Sequence, residues 1–139
     1  MKTLITDASL IAAALFSEEH TAAARKILAG NANLHAPDFI TVEIASVIWK
    51  RHRRGEIETQ EAMDMLADVD LLPLIKTPDT DLTISALQLA MRTDRSIYDC
   101  LYLALAVRAK GVLITADRRL VHALASSPLK SHIAWLGDQ

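Results

Sequence analysis

The chain has 139 residues, 51% of them apolar, a formal net charge of −2, four glycines, four prolines and one cysteine. That length holds one core, so residues 1–139 read as a single domain; the mixed charges exclude a uniformly basic polyanion binder, and Cys100 alone excludes an internal disulfide. The apolar run at 8–16 is too short to cross a bilayer, which makes a cytoplasmic protein with no membrane partner the default expectation.

Residues 2–6 read as a short buried strand that turns at 7–9 into an apolar helix reaching Phe16. A second helix covers 20–29 and stops at Gly30 and Asn31. A brief strand at 33–35 precedes Pro37. Asp38 opens a helix that runs into the basic stretch Lys50, Arg51, His52, Arg53 and Arg54 and ends at Gly55. Thr59 reads as the N-cap of the next helix, with Ala62, Met63, Leu66 and Ala67 as its apolar face. A strand is predicted at 71–76, and Pro73 within it points to an irregular or edge position.

Helices follow at 81–92 and 97–110. The second is apolar on nearly every side (Leu101, Leu103, Ala104, Leu105, Ala106, Val107), so it is expected to be central and buried, closed by Gly111. A buried strand at 112–115, a helix at 118–125 and an edge strand at 133–135 complete the chain. Helices alternating with short apolar strands predict an α/β three-layer sandwich: a short central parallel sheet, right-handed crossovers and helices on both faces. Ligands of such sheets gather at the carboxyl ends of the strands.

Four acids deserve weighing together. Asp7 follows the first strand and Asp117 the strand at 112–115, so both belong at that end of the sheet. Asp99 starts a helix with almost no other polar residue, and Glu43 lies on a narrow polar strip with Ser46 and Lys50. Taken singly, Asp7 and Asp117 cap the helices that follow them, Asp99 complements a helix dipole, and Glu43 is a solvated side chain. Taken jointly, carboxylates converging in one cleft repel one another and stay partly protonated unless a cation neutralises them. An all-oxygen set suits Mg2+ or Mn2+; zinc would call for histidine or cysteine clusters, and His20, His35, His52, His122 and His132 have no ligand spacing.

The segments TDAS at 6–9, EIASVIWK at 43–50, YDCLYLALA at 98–106 and LITADRRL at 113–120 resemble, in order, spacing and context, the motifs of the PIN domain ribonucleases, and within them the VapC-type toxins of toxin-antitoxin pairs. The resemblance covers nearly the whole chain. It implies a metal-dependent endoribonuclease acting on RNA phosphodiester bonds, with Asp7, Glu43, Asp99 and Asp117 at the family's metal-binding acids and Thr115 at its supporting hydroxyl. Asp7, Asp99 and Asp117 are then ligands of Mg2+ (or Mn2+), while Glu43 is either a ligand or the group that orients the attacking water. Ser9 either assists Asp7 or caps its helix. Some relatives carry a further acid after the last one; here Arg118 and Arg119 stand there, which leaves the number of metals open between one and two.

The resemblance also implies three partners: an RNA substrate, a small cognate antitoxin and a second copy in a homodimer. Lys50 and Arg54 fall on the Glu43 side of their helix and are candidates for the RNA path; their alternative is plain positive charge at a helix C-terminus. Six aromatic residues, Phe16, Phe39, Trp49, Tyr98, Tyr102 and Trp135, predict little base stacking. Two other readings stay open, a solitary RNA-processing nuclease and a non-catalytic module whose acidic pocket binds a cation or a partner's arginine. A receiver-like phosphate acceptor is disfavoured, because such a site wants paired acids where Thr6 and Ala8 flank a single Asp7.

Overall fold

The computed structural model describes residues 2–139. In chain order the elements are β1 (Thr3–Thr6), α1 (Ala8–Leu15), α2 (Thr21–Leu28), β2 (Asn33–Pro37), α3 (Ile40–Arg53), α4 (Thr59–Asp70), β3 (Leu74–Thr77), α5 (Thr83–Thr93), α6 (Ile97–Arg108), β4 (Val112–Thr115), α7 (Arg118–Ala123) and β5 (Ile133–Trp135). The strands form one sheet in the order β3-β2-β1-β4-β5, and every neighbouring pair is parallel. The α/β architecture expected from the alternating pattern is the one observed.

The chain steps outward from β1 through β2 to β3, then crosses back over the sheet to lay β4 on the other side of β1. The direction of travel therefore reverses between β1 and β4, which makes their carboxyl ends the switch point of the sheet. Right-handed crossovers place α1 to α4 on one face and α5 and α6 on the other. Packing agrees: α1 lies against β1, β4, α2 and α3, whereas α6 lies across β1, β2 and β4 with α5 outside it.

Seven consecutive residues of α6, from Cys100 to Ala106, are buried, as its all-round apolar sequence predicts. Burial of each of its leucines contributes about 1.5–3 kcal/mol. Gly111 is required where α6 gives way to β4, because a Cβ there would stand 2.7 Å from the Thr3 carbonyl oxygen of β1.

Local boundaries differ from the sequence expectation in four places, each with a reason. Asp38 does not open α3; its N–H donates to the Thr77 carbonyl, and the helix starts at Ile40 with the Phe39 N–H held by Asp79 Oδ1 at 3.1 Å. Glu58, not Thr59, caps α4, with its N–H donating to Glu61 Oε1. Leu71 and Leu72 belong to the turn that ends α4, so β3 begins only after Pro73, at the sheet edge. A 3-10 turn, Asp79–Asp81, precedes α5, which starts at Thr83.

Candidate active site

β1 and β4 end side by side, with Thr6 in register with Ile114. Immediately beyond them the chain ties a knot of side chains around Asp7. Asp7 caps α1 by accepting the Leu10 N–H at 3.1 Å on Oδ1, and the same oxygen accepts the Ser9 hydroxyl at 2.6 Å. Its Oδ2 accepts the hydroxyl of Thr115 at 2.5 Å. Each hydroxyl is used twice: Ser9 Oγ accepts the Ala116 N–H at 2.9 Å, and Thr115 Oγ1 accepts the Asp117 N–H at 3.1 Å. Thr115 is fully buried, and its neighbours leave its hydroxyl no other orientation that satisfies both partners.

Asp117 caps α7, its Oδ1 accepting the Leu120 N–H at 3.2 Å, and its side chain is exposed. Asp99 lies in the first turn of α6, where its N–H donates to Ser96 Oγ. Glu43 comes from α3, whose residues 42, 43, 46, 47 and 50 share one face, and its Oε1 accepts the Tyr102 hydroxyl at 2.5 Å. Glu43 and Asp99 together line a groove of about 570 Å³ between α3 and the start of α6, with Phe39, Ser46, Lys50 and Tyr98.

The four acids feel one another. Burial pushes the Asp7 carboxyl above the ordinary aspartate range, partly offset by its hydrogen bonds from Ser9 and Thr115. Burial also raises Glu43, against the Tyr102 hydrogen bond, and the negative charges of Asp7 and Asp99 raise it further. Asp99 is raised by burial and then by Asp117, with Arg95 pulling in the other direction. Charge repulsion thus runs from Asp7 to Glu43 to Asp99 to Asp117, four residues from four separate parts of the chain.

Among the described residues no three histidines, cysteines, aspartates or glutamates stand ready to clasp a single ion. The carboxylates are turned to local partners, Asp7 to its hydroxyl knot and Glu43 to Tyr102. By chemistry the set nonetheless fits a hard divalent cation: its donors are all oxygen, and burial and repulsion hold three of its members above their usual titration range. A bound cation would relieve both effects.

The other candidates separate. Ser9 and Thr115 belong to the Asp7 knot, Lys50 lines the groove, and Arg54 lies past the end of α3 as its C-cap, outside the groove lining. Arg51 is occupied elsewhere, bonded to Glu18 at 2.6 Å and Glu56 at 3.1 Å and stacked on Phe16. Sequence reasoning missed Tyr102, although its position three residues after Asp99 puts both on one face of α6. It also missed Arg95, whose charge is the one that steadies Asp99.

Comparison with known proteins follows the same lines. The PIN domain pattern matches residues 4–124. Ribonuclease VapC3 of Pyrobaculum aerophilum is 34% identical over 119 residues, 84% of this chain and 91% of that protein. A crystal structure of a Pyrobaculum aerophilum protein superimposes with a TM-score of 0.72 at 23% identity, covering 99% of this chain and 85% of that one. A toxin-antitoxin complex from Klebsiella pneumoniae gives a TM-score of 0.61 at 16% identity, covering 94% and 95% respectively. At those identities the two structures speak for the fold alone.

Proposed function

The chain belongs to the PIN domain family, and on that premise we propose that it is a divalent-metal-dependent endoribonuclease, the toxin of a toxin-antitoxin pair. The observation that carries this reading is the chain of carboxylates that runs from Asp7 and Asp117, just past the carboxyl ends of β1 and β4, to Glu43 on α3 and Asp99 on α6, with Asp7, Glu43 and Asp99 raised by burial. Mg2+ or Mn2+ held there supplies an activated water and offsets charge on the phosphate oxygens.

Asp7, Asp99 and Asp117 are the carboxylates that would hold the cation. Ser9 and Thr115 fix the Asp7 carboxylate, so its position is set before anything binds. Glu43, steadied by Tyr102, either joins the ligands or orients the attacking water. Water attacks the phosphorus and the 3′ oxygen leaves, giving a 5′-phosphate and a 3′-hydroxyl without using the RNA 2′-hydroxyl. Lys50 faces the incoming backbone from α3.

Two partners belong to the same reading. An antitoxin would neutralise the cluster by placing a cationic side chain among the acids, because a guanidinium pairs with carboxylates that otherwise repel one another. A second copy would cover α5, whose Ile84, Leu87 and Met91 form an exposed apolar stripe at helical spacing. The deciding experiment is cleavage of a single-stranded RNA with Mn2+, with and without chelator. Metal-dependent cleavage that leaves 5′-phosphates is expected. Undiminished cleavage after chelation, or none with any divalent cation, overturns the proposal.

A further inference from the structure

The groove beside the acids holds a feature that phosphodiester hydrolysis alone does not need. Tyr98 immediately precedes Asp99, and its ring stacks on Phe39 with centroids 5.1 Å apart and planes 25° from parallel. Phe39 in turn lies 6.4 Å from Tyr102, the residue that holds Glu43. Three of the six aromatic residues therefore cluster beside the site, Phe39 and Tyr98 on the groove and Tyr102 buried behind them. Tyr98 is 58% exposed although it is a large aromatic group, and the groove it lines mixes apolar Val42 and Val47 with the charged and polar Glu43, Asp99, Ser46 and Lys50.

We propose that Tyr98, backed by Phe39, is a stacking platform for one unpaired RNA base, with Lys50 across the groove taking that nucleotide's phosphate. The proposal rests on the ribonuclease reading above and adds to it a base subsite next to the reacting centre. A nucleotide offers a π-face and an anion side by side, and the groove offers an aromatic face and an ammonium side by side. An apolar helix laid in the same groove would strip water from Glu43, Asp99 and Lys50 without pairing them. Phe39 is itself anchored, its N–H held by Asp79, so the platform is rigid before RNA arrives.

Stacking accepts any base but requires one, so the subsite selects unpaired over duplex RNA. Because Tyr98 and Asp99 are adjacent in the first turn of α6, the stacked nucleotide lies next to the scissile phosphate. Tyr98 then acts as a positioning residue.

The test measures binding of a short single-stranded RNA to full-length protein carrying Asp7→Asn, which blocks cleavage, in Mg2+. In that background Tyr98→Ala is expected to weaken binding about tenfold, within the range of a single aromatic-base stack, while Tyr98→Phe and Tyr98→Trp retain it. Placing an abasic nucleotide at each position in turn should abolish the Tyr98→Ala penalty at one position and leave it intact at the others. Equal affinity for Tyr98→Ala, or a penalty that no abasic position removes, overturns the subsite. Loss of antitoxin binding by Tyr98→Ala with RNA binding intact also overturns it and assigns the platform to a protein. Failure of the underlying reading looks different: the wild-type chain then neither binds nor cuts RNA with any divalent cation, and no comparison of variants is needed.

Discussion

The two halves of the site are built on opposite plans. At the end of β1 and β4, Asp7 is locked by Ser9, Leu10 and Thr115, and both hydroxyls also accept backbone N–H groups, so no atom there is free to move alone. Across the groove, Glu43 relies on one bond from Tyr102, and Asp99 has only Ser96 and the charge of Arg95 to steady it. The closed half is set by the sheet and fixes where a charge must go. The open half lies between two helices and is able to adjust to what enters.

Removing the charge of the closed half should have the largest effect. Asp7→Asn is expected to reduce cleavage by about 10³-fold, the scale of losing a preorganised electrostatic group, in a single-turnover assay. Its effect on stability should have the opposite sign. Asp7 holds its proton more tightly in the folded than in the unfolded chain, so its contribution is fully present below its unfolded pKa near 4 and is lost as pH rises through the folded value. Without metal, the melting temperature of Asp7→Asn should therefore gain on wild type as pH rises, and added Mg2+ should shrink that gain. A variant that melts progressively below wild type over the same range would show that Asp7 is chiefly a cap.

Next in size is the lock itself. Thr115→Val keeps the shape but removes a donor to Asp7 and leaves the Asp117 N–H without its acceptor. A loss of about 1–3 kcal/mol in urea unfolding is expected, as for other buried groups deprived of a partner. A neutral result would mean that water replaces the hydroxyl and the half is less closed than its bonds suggest.

Tyr102→Phe probes the open half. The Tyr102 hydrogen bond favours ionised Glu43, so its removal should raise the Glu43 pKa further and move the acid limb of the pH-rate profile to higher pH. The fold should tolerate the change. An acid limb that does not move would separate Glu43 from the rate-determining protonation.

Smallest is the effect of the basic residues. Lys50→Ala should weaken RNA binding and reduce the salt dependence by about one charge, and Arg54→Ala, outside the groove, should do neither. Equal effects from both would favour a diffuse field over a placed contact.

Much of the closed half was legible in the sequence. Asp7 and Asp117 stand directly after apolar strands, and a parallel sheet puts such residues at one end whatever else it does. The all-round apolar pattern of α6 gave its burial as directly. The open half was harder to read, because it depends on which faces of α3 and α6 meet. Tyr102 looks like one more core residue until Glu43 is set opposite it, 59 positions away. Asp79 takes the capping role that Asp38 seemed placed for, from 40 positions further on. Nor does the count of six rings tell that three of them, Phe39, Tyr98 and Tyr102, cluster together.

Asp7 and Thr115 are bonded across 108 positions, and the strands that carry them pair in parallel, with helices rather than a hairpin between them. No shorter piece of the chain holds even this first contact of the site. During synthesis, β4 must leave the ribosome and find β1 before Asp7 is locked, and closure over so long a loop is slow. On the proposed reading, the RNA-cutting site is thereby completed only after nearly the whole chain has been made.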